Sequence, residues 1–104
     1  MAKKALESLS EAMYYILLAL RGGEKCGTDI AKYIEDRTAG RVKAGPGTLY
    51  TILSKFEKEK LIKETEVEGR KRTYCITAKG IIALQDEIER LKRCLKDAES
   101  EDHA

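Results

Sequence analysis

"AGPGTLYTIL", residues 44–53, sets the chain's only proline, Pro46, between Gly45 and Gly47, directly ahead of a run with helical periodicity. Proline, with its φ fixed by the ring, sets the chain's approach to the helix. Glycine beside it lets the preceding turn close tightly. Together they fix the direction in which the next helix leaves its turn. Leu49, Ile52, Leu53 and Phe56 then fall at i, i+3, i+4 and i+7, which places them on one face. The other face carries Thr48, Thr51, Ser54, Lys55 and Lys58, with Tyr50 near its start. The spacing predicts a helix over about 47–60, anchored by one side and presenting hydroxyls and cations on the other.

Outward from this helix the chain reads as further short elements. In "SLSEAMYYILLALRGG", Ser8 and Glu11 have the spacing of a capping box, which predicts a helix over about 9–21 ended by Gly22-Gly23. Its apolar residues run almost unbroken from Ala12 to Leu20, too wide for one face, so it is buried on more than one side. "CGTDIAKYIEDRTAG" predicts a second helix of about ten residues, with Gly27 or Thr28 at its cap and Ile30, Ala31, Tyr33 and Ile34 inward. In "LIKETEVEGRKRTYCIT", β-branched and aromatic residues flank Glu68-Gly69, the pattern of two short strands joined by a turn.

Thr77 then caps a last helix over about 78–99, roughly 33 Å long. Ile81, Leu84, Ile88, Leu91, Leu95 and Ala98 recur along it at alternating intervals of three and four, the mark of a heptad seam. Burying each large aliphatic side chain is worth ~1.5–3 kcal/mol, which a partner helix supplies. Tyr14 and Leu17 on the first helix are assigned to the same homodimer contact. A long helix folded back along its own body is the alternative. The closing "SEDHA" is expected to fray.

With 104 residues the chain is of single-domain length, and 37% of them are charged, a high share for a compact monomer. Residues 1–80 carry 16 Lys/Arg against 11 Asp/Glu, whereas residues 81–104 carry 4 against 7. A basic body with an acidic tail points to a polyanion as the partner of the body. No long apolar run or signal core is present, so a cytoplasmic protein with no membrane partner is expected. Cys26, Cys75 and Cys94 are widely spaced and without a nearby histidine, which favours reduced thiols over disulfides or a metal. His103 is the only histidine, and no catalytic acid pair or phosphate-binding loop occurs, so neither an enzyme nor a cofactor is expected.

Helix, helix, helix, hairpin, helix, with a tight connection before the third helix, is the order of a winged helix-turn-helix. The fold class expected is therefore mainly α with a β-hairpin wing and a long C-terminal dimerisation helix. The winged-helix part would span residues 1–77 and the dimerisation helix with its tail residues 78–104. An α-helix fits the major groove of DNA, so Thr48, Tyr50, Thr51, Ser54, Lys55 and Lys58 become candidate DNA contacts. Arg70, Lys71 and Arg72 stand at the hairpin tip, where they can reach flanking phosphates.

"SEAMYYILLAL", "CGTDIAKYIEDRT", "GPGTLYTILSKFEKEKLIKE" and "EGRKRTYCITAKG" together resemble the PadR family of bacterial transcriptional regulators over about residues 9–80. The single long last helix is similar to the short-form branch, in which it builds the homodimer. The resemblance implies a repressor of its own or neighbouring genes, bound to a roughly palindromic operator on double-stranded DNA. It also implies release by an aromatic or drug-like small-molecule effector. Tyr50 matches the family's characteristic tyrosine. Two departures stand out: Thr28 sits where members commonly carry an aromatic residue, and the chain has no tryptophan, so a pocket of stacked indoles is excluded. A winged-helix module that docks proteins without touching DNA is the competing expectation.

Overall fold

The structure, a computed structural model, describes residues 9–101. In chain order the elements are α1 (Glu11–Arg21), β1 (Lys25–Cys26), α2 (Gly27–Thr38), α3 (Pro46–Lys58), β2 (Ile62–Glu68), β3 (Lys71–Ile76) and α4 (Ala78–Glu101). The mainly helical winged-helix architecture expected from the sequence is what the chain adopts.

The helix α1 starts later than the capping-box reading placed it. The Met13 N–H donates to Ser10 Oγ at 3.2 Å, so Ser10 is the cap, while Ser8 lies outside the described residues. Ile16, Leu17, Ala19 and Leu20 are buried, and Gly22 and Gly23 close the helix as expected, Gly23 at φ 137°. The end of α2 is tied to the turn that follows. Thr38 Oγ1 donates to the Ile34 carbonyl at 2.7 Å and accepts from the Val42 N–H at 3.1 Å. This buried hydroxyl holds the chain as it swings from α2 toward α3.

Gly45 flanks α3 in an extended conformation and Pro46 is its first residue, with the Leu49 N–H donating to the Gly45 carbonyl at 2.8 Å. Lys60 then takes a left-handed φ of 64°, and the Leu61 N–H returns to the Phe56 carbonyl at 2.9 Å. Such a reversal satisfies carbonyls that the helix end leaves open. It sends the chain directly into β2.

The sheet has three antiparallel strands in the order β1-β3-β2, one more than the sequence pattern indicated. The extra strand, β1, is two residues long and pairs Lys25 with Tyr74 and Cys26 with Thr73. Two residues carry no readable alternation, and β1 exists because β3 offers it an edge. A bulge between Glu64 and Glu66 interrupts the β2-β3 ladder. Beyond it the hairpin leaves the body as an exposed wing.

At the start of α4 the Gly80 N–H donates to Thr77 Oγ1 at 3.1 Å, the cap expected of Thr77, and the same hydroxyl donates to the Lys60 carbonyl at 2.7 Å. The first half of α4 packs on the body and its Leu84 is fully buried in one cluster with Leu17, Ile34, Phe56 and Tyr74. This corrects two assignments to the dimer seam. Leu17 and Leu84 have no exposed surface, because the chain's own core uses them. Through Leu84, α4 contributes to the same core as the preceding elements. From Leu91 to Ser100 every residue is exposed, including Leu91 and Leu95. Among the described residues no helix is long and apolar enough to cross a membrane.

Candidate nucleic-acid interface

Two surfaces meet the description the sequence suggested. On α3, Leu49, Ile52, Leu53 and Phe56 are all buried, so the helix cannot roll on the body. Thr48, Tyr50, Thr51, Ser54, Lys55 and Lys58 are exposed on it. The first turn contains no acid and its amides have no side-chain cap, while Lys55 and Lys58 occupy the last turn. Cations there suit the negative end of the helix dipole, and open amides at the other end favour an anion. The face therefore combines short hydroxyls, two ammonium groups and the positive end of a helix.

Tyr50 differs from its neighbours. It is 40% exposed, yet its phenol end leans on the first residue of α2, where a side-chain carbon on Gly27 would come within 2.8 Å of Tyr50 Cζ. The hydroxyl is thus held beside the N-terminus of α2 rather than standing free of the body. Gly27, itself buried, is the residue that makes room for it, and the sequence pattern marked it only as a cap candidate.

The second surface is the wing. Gly69, at φ 63°, and Arg70 form its tip, and Lys71 and Arg72 open β3. The three cations are not equivalent. Strand alternation puts Arg72 on the same side as the buried Tyr74, and there its Nε donates to Glu64 Oε2. That hydrogen bond is the main reason the guanidinium is held more firmly protonated than usual, with the charges of Tyr74 and Glu64 adding to it. Burial pushes the Tyr74 phenol up from its ordinary value. Arg70 and Lys71 have no ion-pair partner among the described residues, so the wing offers two free cations and one already paired.

A cleft of about 320 Å³ lies between α1 and α4, lined by Leu9, Glu11, Tyr14, Tyr15, Glu87, Arg90 and Leu91. The Tyr14 and Tyr15 rings meet edge to face at 5.1 Å. Arg41, in the turn before α3, donates to Glu11 Oε2 at 2.6 Å and to Tyr15 Oη at 3.4 Å, joining the rim of the cleft to that turn. Glu87 is only 4% exposed and receives Arg90 Nη2 at 2.6 Å and Nε at 3.1 Å. The Arg90 hydrogen bond holds the carboxyl below its ordinary range, against the opposing effect of burial. Sequence reasoning passed over Glu87. The signal was there: it follows the core residue Leu84 by three positions, which sets a carboxylate on the apolar stripe, with Arg90 three further on.

All three cysteines are free thiols, with Cys26 buried and Cys94 exposed on α4. No group of residues able to hold a metal ion occurs among the described residues. His103 lies outside them.

The sequence and the fold both have recognisable relatives. The family model described as "Transcriptional regulator PadR-like family" matches residues 16–86. A transcriptional regulator from Clostridium thermocellum is 27% identical, with 88% of this chain and 96% of that one covered at a TM-score of 0.76. Bacillus subtilis PadR in complex with operator DNA is 30% identical over 73% of this chain and 45% of its own, at a TM-score of 0.65. An uncharacterised 37.1 kDa protein in a Streptomyces fradiae transposon is 33% identical over 84 residues, and the chain spans about a quarter of its length, 24%. The matched region contains the anchored helix α3, the wing and the core half of α4, and the chain belongs to the PadR-like family of transcriptional regulators.

Proposed function

We propose that the chain binds double-stranded DNA as a homodimer and represses its own or neighbouring genes. In this reading α3 enters the major groove, and Arg70 and Lys71 of the wing neutralise flanking phosphates. The observation that carries it is the division of α3, with four side chains locked into the core and six others exposed, together with two wing cations that have no ion-pair partner among the described residues. The B. subtilis relative, whose structure holds operator DNA, supports double-stranded DNA as the partner. The exposed Ile81, Leu91 and Leu95 of α4, with the half-buried Ile88 and Tyr14, provide the surface for a second copy. A two-fold dimer would set two α3 helices about one turn of DNA apart, ~34–36 Å, matching a roughly palindromic operator. The work is cytoplasmic, where the DNA is. An aromatic or drug-like effector would enter the cleft between α1 and α4, whose tyrosines offer flat apolar surface.

Binding to duplex DNA from the region upstream of the chain's own gene, followed by fluorescence anisotropy across a salt series, tests this. Wild-type protein is expected to bind at ~100 mM salt with an affinity that falls steeply as salt rises. Arg70→Ala with Lys71→Ala should weaken binding to every sequence alike and flatten the salt slope by about two. No binding, or a salt slope that the double substitution leaves unchanged, contradicts the reading and favours a protein-docking surface instead.

A further inference from the structure

We propose that Gly27 is a positioning residue for DNA contact and acts through Tyr50. The proposal rests on the DNA-binding reading above. Gly27 is the first residue of α2 and is buried, yet its φ is not among the positive ones, so the backbone does not demand glycine there. Alanine would favour the helix. What excludes a side chain is the Tyr50 ring: a carbon on Gly27 would lie 2.8 Å from Tyr50 Cζ, 3.2 Å from Cε1 and closer still to the hydroxyl.

A collision can be relieved in different ways, and the atom that must yield decides the consequence. At Gly80 the obstruction is the Leu61 backbone carbonyl, which cannot move without moving β2. At Gly27 it is the far end of a half-exposed side chain, free to swing outward. A side chain at position 27 therefore spares the fold and evicts the phenol from its seat. Seated, the Tyr50 hydroxyl lies at the N-terminus of α2, whose cap residue Cys26 makes no side-chain bond to the helix amides. An O–H held beside the positive end of a helix is aimed at a DNA phosphate with its rotamer already chosen. Gly27 keeps that aim by having nothing in the way.

The test compares wild type, Gly27→Ala, Tyr50→Ala and the double variant, reading DNA affinity, thermal melting and the Tyr50 ring resonances of the free protein. Gly27→Ala is expected to shift the ring resonances, melt within a few degrees of wild type and lose roughly tenfold in affinity, the scale of one hydrogen bond to a charged group. In the Tyr50→Ala background it should cost nothing further. An unmoved ring overturns the proposal whether or not DNA binds. So does wild-type affinity in Gly27→Ala, or an equal loss in both backgrounds, which would mean that Gly27 acts on the backbone and not through the tyrosine. Failure of wild-type protein to bind DNA, with a ring that does shift, overturns the DNA-binding reading and with it the assigned role, and leaves the packing contact standing.

Discussion

Glu87 has almost no exposed surface and faces an arginine on its own helix at 2.6 Å. Arg90 lowers its pKa in the folded protein below the ordinary 4.5. A depressed carboxyl stabilises the fold above its unfolded pKa, and that contribution is lost as pH falls through the folded value. Glu87→Gln should therefore cost about 1.5–3 kcal/mol at pH 7, the worth of hydrogen bonds to a charged group. The gap between wild type and variant in urea melts should close as pH falls through the lowered pKa of the folded protein, beneath the ordinary carboxyl range. By contrast, the Arg41–Glu11 pair is more than half exposed on both sides and contributes little to stability. Its interest is its position, joining α1 to the turn that launches α3.

For single elements, legibility followed the length of the pattern. In α3 the helix begins at Pro46, one residue before the expected start, while the stripe of Leu49, Ile52, Leu53 and Phe56 was readable, because periodicity over a dozen residues has a direct physical cause. The Thr77 cap was readable for the same reason. Two-residue β1 was not, since its existence depends on β3 and not on its own residues. Nor could the sequence separate Arg72 from Arg70 and Lys71, because that depends on which side of the strand faces Glu64. Gly80 shows the same dependence on tertiary contact. A carbon there would overlap the Leu61 carbonyl oxygen and lie 2.7 Å from Ile76 Cγ1, pushing α4 off the sheet. Gly80→Ala should destabilise by ~1–3 kcal/mol and lower the melting temperature by about 4–8 °C per kcal/mol.

Across the whole molecule, charge and apolar surface divide the chain in the same way. Positive charge is concentrated in residues 1–80, where α3 and the wing lie, and negative charge in residues 81–104, where α4 extends beyond the body. The heptad pattern revealed that α4 is amphipathic but not who covers it. Leu84 was claimed by the chain's own core and Ile88 is half-buried, whereas Ile81 is exposed and so is every residue from Leu91 to Ser100. Leu91→Asp with Leu95→Asp should thus yield a folded monomer in sedimentation, because neither residue supports the core. An unchanged dimer would place the contact elsewhere.

Selection of binding sites from a random duplex library measures most directly whether α3 reads bases. Wild-type protein should enrich two inverted half-sites with centres roughly 10 base pairs apart. Thr51→Arg should enrich different bases within the half-sites, and Arg70→Ala should lower recovery while leaving the enriched bases as they were. Enrichment of no motif by wild-type protein, or the same motif with Thr51→Arg, would contradict the assignment of α3 to the major groove.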